Sequence, residues 1–130
     1  MKPKKGLVDY LTGEADFKEC IFQSNNIKGS DEKFKFYFIP GGRPVADGSN
    51  LLGGEKMKEI IDLVDNNSDY VILDSAPVGL LTDASVLAQY ADCALFVVKK
   101  DYAKTEHIMS GIQHLADSNI PVIGCILNGD

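Results

Sequence analysis

Hydrophobic and polar positions switch between two periods along this chain, and the switches divide it into strands and helices. Four apolar runs are strand-like: Phe34–Ile39, stopped by Pro40-Gly41-Gly42; Val71–Asp74; Ala94–Val98, ended by Lys99 and Lys100; and Val122–Leu127, ended by Asn128. The last three are nearly continuous rather than alternating, the pattern of strands covered on both faces. Between them the spacing becomes helical. Leu52, Met57, Ile60, Ile61 and Val64 recur along 50–66, with Ser49 or Asn50 as N-cap. Over 82–91 Thr82 caps a segment whose Val86, Leu87 and Tyr90 share a face. Over 104–118 Ile108, Met109, Ile112, Leu115 and Ala116 form a stripe, and Pro121 follows its end. The first thirty residues predict two short helices, Leu7–Leu11 and Asp16–Phe22, then a polar loop over 23–33. Strands alternating with helices predict βαβ units and a parallel sheet, hence a three-layer αβα fold of the α/β class in one domain over 1–130.

Composition narrows the function classes. A net charge of −6, from 13 Lys+Arg against 19 Asp+Glu, opposes binding to nucleic-acid backbones and to anionic membrane surfaces. The Lys2, Lys4, Lys5 cluster reads as a short solvated tail. No apolar stretch is long enough to span a bilayer, so no direct membrane insertion is expected. Cys20, Cys93 and Cys125 have no Cys-x-x-Cys spacing, which predicts reduced thiols and a cytoplasmic protein. Cys93 and Cys125 sit in apolar runs and read as small buried hydrophobes.

The chemistry concentrates in Tyr70-Val71-Ile72-Leu73-Asp74-Ser75-Ala76-Pro77. An apolar strand that ends in a carboxylate places an acid where ligands bind in open α/β sheets, at the strand's C-terminal tip. Asp74 there suits Mg²⁺ on a nucleotide phosphate. The usual phosphate cradle, Gly-x-x-x-x-Gly-Lys-Ser/Thr, is absent from the 130 residues. The pairs Gly41-Gly42 and Gly53-Gly54 lack its Lys-Ser/Thr; turn geometry explains the first, and the second lies early in a helical pattern and reads as loosening its first turn.

Residues 69–98, with the Asp74 run, Thr82-Asp83-Ala84 and Ala91-Asp92 before a Val-rich strand, resemble the bacterial tyrosine kinases of capsule and exopolysaccharide assembly. These are relatives of the MinD/ParA-type P-loop ATPases. Ser75 and Ala76 replace the family's usual Thr and first Pro. The resemblance extends to Gly6-Leu7-Val8-Asp9-Tyr10-Leu11-Thr12-Gly13, to Pro40-Gly41-Gly42 with Asn50-Leu51-Leu52-Gly53, and to Gly124-Cys125-Ile126-Leu127-Asn128. It implies a truncated P-loop NTPase-like fold that corresponds to the C-terminal part of the kinase domain. It also implies that Asp74 is the Walker B acid holding Mg²⁺ and that Asn128 contacts the adenine of ATP.

The family's Walker A and A′ motifs, and its C-terminal tyrosine cluster, have no counterpart in the sequence. No catalytic residue is therefore assigned, and the chain alone is expected to be inactive. The implied partners are a membrane activator protein of polysaccharide export, which would hold the chain at the inner membrane, and further copies in a homo-oligomer. The family's sheet also interleaves two more strands among the four predicted here. The chain is thus expected either to close its own strands into a contiguous sheet or to borrow strands from another copy.

Other residues have plainer readings. Asp83 reads as a first-turn helix acid. Asn128 before Gly129 also fits turn chemistry. Lys99 and Lys100 read as solvated strand-end charges, His107 and His114 as surface residues, and Arg43 as a loop contact. A rival class is a non-catalytic receiver-like signalling or assembly module, based on Asp74, Pro77 and Gly79. The lack of an acidic pair after Ile39 counts against it.

Overall fold

The computed structural model describes residues 5–24, 36–75, 83–100 and 104–129. Thr82, Pro77, Gly79 and the expected loop from 25 to 33 lie outside them. The chain divides into two compact units, 1–57 and 58–130, with the boundary inside a helix.

In the first unit, α1 (Leu7–Leu11) forms where expected, and α2 is Phe17–Cys20. Glu19 accepts the Asp16 backbone N–H at 3.0 Å, which fixes the start of α2. The predicted helix over 16–22 stops early because Ile21 turns extended and Phe22–Ser24 becomes strand β1. This strand pairs antiparallel with β2 (Phe36–Phe38) in the register Phe22↔Phe38 and Ser24↔Phe36. Aromatic contacts carry the pair, with the Phe22 and Phe38 ring centroids 5.6 Å apart. Leu11 and Cys20 are buried, and Tyr10 meets Phe17 edge to face at 6.3 Å.

The helical pattern over 50–66 is two helices, α3 (Gly48–Leu52) and α4 (Glu55–Asp65). Gly53-Gly54 breaks the helix rather than loosening it, and Asp47 is the N-cap of α3 in place of Ser49 or Asn50. Met57 and Ile60 of α4 are buried, each worth about 1.5–3 kcal/mol of apolar transfer. The Asn66 and Asn67 side chains donate to the Asp62 and Leu63 carbonyls and close the helix end.

The second unit contains α5 (Asp83–Ala88), β3 (Ala94–Lys99), α6 (Thr105–Asp117) and β4 (Val122–Asn128). β3 and β4 are parallel and joined through α6, as a βαβ unit requires. The register runs from Leu95↔Gly124 to Lys99↔Asn128, with an irregularity at Ala94/Leu95. Ala88, Leu115 and Ile120 form the core, packed by Ala91, Ala94, Phe96 and Val122. The buried face of α6 is Gly111 and Leu115, flanked by half-buried Ile108 and Ile112, while Met109 and Ala116 point outward. On α5 the buried residues are Ala84 and Ala88, with Val86, Leu87 and Tyr90 only half-buried.

α6 ends in a Schellman motif. Asn119 adopts φ 59, Asn119 N–H donates to Ala116 O at 3.0 Å, and Ile120 N–H donates to Leu115 O at 3.3 Å. The Leu115–Ile120 contact that accompanies this motif is also part of the core.

Two sequence expectations about the strands fail in this unit. Residues 71–74 join no strand, and residues 70–74 make no backbone hydrogen bond among the described residues. Of the two arrangements expected for the sheet, closure into one contiguous sheet is not seen: the described residues hold one antiparallel and one parallel pair. β3 and β4 are not covered on both faces: Leu95 (57%), Val97 (59%) and Ile123 (64%) are exposed. Cys93 and Cys125, expected to be buried, are exposed, and Cys20 is the buried thiol. All of these fit a sheet whose further neighbours are not in the described residues. No helix among them is long and apolar enough to cross a membrane.

Candidate functional site

Asp74 lies near the end of the segment 70–75, which joins no helix or strand, and is exposed. Its carboxylate accepts no hydrogen bond and joins no ion pair among the described residues. A hard-oxygen donor of this kind fits Mg²⁺ chemistry, as one ligand of the several such an ion takes. The geometry of any further ligand lies beyond this segment.

Asn128 is the last residue of β4, level with Lys99 on β3. Its carbonyl accepts the Lys100 N–H at 2.9 Å, which ties the two strand ends together. The exposed Asn128 amide is thus held beside two lysines at the C-terminal edge of a parallel pair, where α/β sheets bind ligands. An amide side chain there has both a donor and an acceptor for a base edge. No hydrogen bond or ion pair links the two predicted site residues, Asp74 and Asn128, among the described residues. His107 and His114 are exposed.

A second cluster joins two motif segments of the first unit. Asp9, nearly buried, accepts the Gly6 N–H at 2.8 Å. The next two amides of α1 donate to the following loop: Leu7 N–H to Pro40 O at 2.8 Å and Val8 N–H to Gly41 O at 3.1 Å. A Cβ on Gly6 would lie 2.5 Å from Gly42 N and 2.6 Å from Pro40 O, so only glycine fits there. Gly42 itself has φ +91, a conformation that favours glycine. The first amides of α1 are therefore consumed by protein acceptors, which leaves them unavailable for phosphate.

Arg43 bears out its reading as a loop contact. Its guanidinium pairs with Glu14 and lies 3.9 Å from Asp9. Burial pushes the Cys20 thiol up from its ordinary pKa, and the Asp9 carboxylate acts in the same direction. Sequence reading gave Asp9 no role of its own. The signal was its position three residues after Gly6, the spacing at which an acid caps the preceding amide.

No protein-family model matches the chain. It is 27% identical over 124 residues to the tyrosine-protein kinase CpsD of Streptococcus agalactiae, covering 95% of this chain and 50% of the relative. With the tyrosine-protein kinase CpsD of Streptococcus pneumoniae the identity is 24% over 123 residues, covering 95% and 51%. The chain thus spans about half the length of these relatives. Among solved structures, the kinase domain of the Escherichia coli tyrosine kinase ETK superposes with a TM-score of 0.85 at 24% identity, covering 99% of this chain and 48% of that one. The VpsO kinase domain gives a TM-score of 0.82 at 21% identity, covering 97% and 59%. The fold is that of part of a bacterial tyrosine kinase domain, and the chain is a homologue of that family.

Proposed function

We propose that this chain supplies one part of the nucleotide site of an ATP-dependent protein-tyrosine kinase regulating capsular or exopolysaccharide synthesis and export. The observation that carries the reading is Asp74. It is an exposed carboxylate at the end of an apolar run, with no hydrogen bond or ion pair among the described residues, in a chain that matches tyrosine kinases over 95% of its length.

In the assembled domain Asp74 holds Mg²⁺, directly or through water, and Asn128 binds the adenine edge. The bound ion neutralises charge on the phosphates of ATP. What the chain's own residues do is bind and orient. Asp74 fixes the position of the ion, and the β3–β4 hydrogen bonds hold Asn128 at the strand ends. The two units work as parts of one catalytic domain at the cytoplasmic face of the membrane, with a membrane activator protein as partner. Because the 130 residues contain no Gly-x-x-x-x-Gly-Lys-Ser/Thr, they do not turn over ATP unaided.

The test is a fusion. The part of Streptococcus agalactiae CpsD that has no counterpart in this chain is joined to residues 1–130, and Mg-ATP-dependent tyrosine phosphorylation is measured. The expected result is measurable phosphorylation that falls about 10–100-fold in Asp74→Asn, the range for loss of a group that supports a bound metal. A folded fusion that binds no Mg-nucleotide would overturn the reading, as would ATP turnover by the isolated chain.

A further inference from the structure

Asn128 carries a second chemistry, set by the residue that follows it. It precedes Gly129, and no other asparagine of the chain precedes a glycine. In an Asn-Gly pair the glycine nitrogen can reach the asparagine side-chain carbonyl, because no Cβ stands in the way. In a folded chain the reaction depends on what holds that nitrogen and that side chain.

The other described asparagines are held. The Asn66 and Asn67 side chains donate to the Asp62 and Leu63 carbonyls. The nitrogens that follow them are engaged as well, Asn67 N–H on Val64 O at 3.1 Å and Ser68 N–H on Asp65 O at 3.5 Å. The Asn50 side chain donates to the Asp47 carboxylate, and Leu51 N–H donates to Asp47 O at 3.4 Å. After Asn119, Ile120 N–H is bound to Leu115 O. Asn128 differs on both counts. Its side chain makes no hydrogen bond, and Gly129 N–H has no acceptor, among the described residues. Both residues are exposed.

The strand end supplies one brake and one aid. The Lys100 N–H on Asn128 O, at 2.9 Å, keeps the Asn128–Gly129 peptide unit in line with β4, and attack requires that unit to rotate. This bond is at the end of the strand pair, where local opening is easiest. The aid comes from charge. Lys100 Cβ and Lys99 Cγ each lie 4.0 Å from where a Cβ on Gly129 would stand. Two cationic side chains therefore flank the nitrogen on which negative charge develops, and opposite charge favours that form.

We propose that Asn128 is a self-modification site, where the chain converts its own amide to a carboxylate. Gly129 N loses its proton and bonds to Asn128 Cγ. The Cγ–Nδ2 bond breaks, and Nδ2 leaves as ammonia with that proton. Water then opens the cyclic imide at either carbonyl, giving aspartate or isoaspartate at position 128. The product side chain is a carboxylate, which accepts hydrogen bonds and donates none. Its consequence rests on the kinase reading above: the donor for the adenine edge is lost, and nucleotide binding weakens as the chain ages.

The test incubates the isolated chain at mildly alkaline pH, in buffer and in urea, and maps its peptides by mass spectrometry. In buffer, aspartate plus isoaspartate is expected to form at position 128 at least about tenfold faster than at Asn67, whose neighbouring amide is held. Urea is expected to narrow that gap by releasing Asn67. Lys100→Pro, which removes the donor to Asn128 O, is expected to speed conversion at 128. An Asn128 amide that stays intact in buffer and converts only in urea would overturn the proposal, as would Asn67 reacting as fast as Asn128 in buffer. The consequence has its own readout in the CpsD fusion described above, where Mg-ADP is expected to slow conversion at 128. Conversion that a bound nucleotide leaves unslowed would refute the adenine contact and leave the modification standing.

Discussion

The knot around Asp9 and the strand-like segment around Asp74 are built from similar material, yet one is closed and the other open. Around Asp9 every polar group named above has a partner within the first unit. Gly6 N–H goes to Asp9, Leu7 and Val8 N–H to Pro40 and Gly41, and Arg43 to Glu14. Around Asp74 the backbone of 70–74 has no partner at all among the described residues, and the apolar side chains of 70–72 face solvent. A helix start finds acceptors in a neighbouring loop. A strand of a parallel sheet depends on other strands, which the chain must carry or receive. Local structure is therefore self-sufficient in one region and without backbone partners among the described residues in the other.

The largest expected effect comes from the one well-packed patch of the second unit. Leu115→Ala empties a site in the Ala88/Leu115/Ile120 core and removes the hydrophobic partner of the Schellman motif, and is expected to cost about 2–5 kcal/mol in urea unfolding. Gly6→Ala comes next, at about 1–3 kcal/mol, because the new methyl would meet Gly42 and Pro40 backbone atoms that have no room to yield. Arg43→Ala is expected to change stability by less than about 1 kcal/mol, since the Arg43–Glu14 pair is half-exposed. Ile72→Ser should be the mildest in the isolated chain, within about 0.5 kcal/mol, because its side chain is 86% exposed. If Ile72→Ser proved as costly as Leu115→Ala, the contrast between closed and open regions would fail.

The thiols sharpen the same contrast. Cys93 and Cys125 are expected to react with a thiol reagent in the native chain, and Cys20 only after unfolding. Burial raises the Cys20 pKa in the folded state. Its contribution to stability is therefore intact below the ordinary thiol pKa of about 8.5 and is lost as pH rises through the higher folded value. Unfolding followed between pH 8 and pH 10 should show that decline, and Cys20→Ala should remove it.

How much the sequence disclosed follows the same division. The helix at Leu7–Leu11, the βαβ unit from Ala94 to Asn128 and the Ile108, Ile112 and Leu115 part of the α6 stripe were legible because their patterns are satisfied by nearby residues. The strand β1 was missed because Phe22-Gln23-Ser24 is too short to show a period and owes its form to pairing with β2. The reverse held at Val71–Asp74. There the pattern is that of a strand, but a strand is defined by its neighbours, and no pattern within the segment shows whether they are present. The α4 break was visible as Gly53-Gly54 and underestimated. For the candidate site, Asp74 and Asn128 are read from their positions at the ends of apolar runs. That no hydrogen bond or ion pair joins them among the described residues is beyond anything the spacing encodes.

The most direct test of the account is amide hydrogen exchange on the isolated chain, read residue by residue. The account predicts slow exchange at Leu7, Val8 and the paired amides of β3 and β4, and exchange near the free-peptide rate at 71–74. Protection at 71–74 comparable to that of β3, in a dilute monomeric chain, would contradict it.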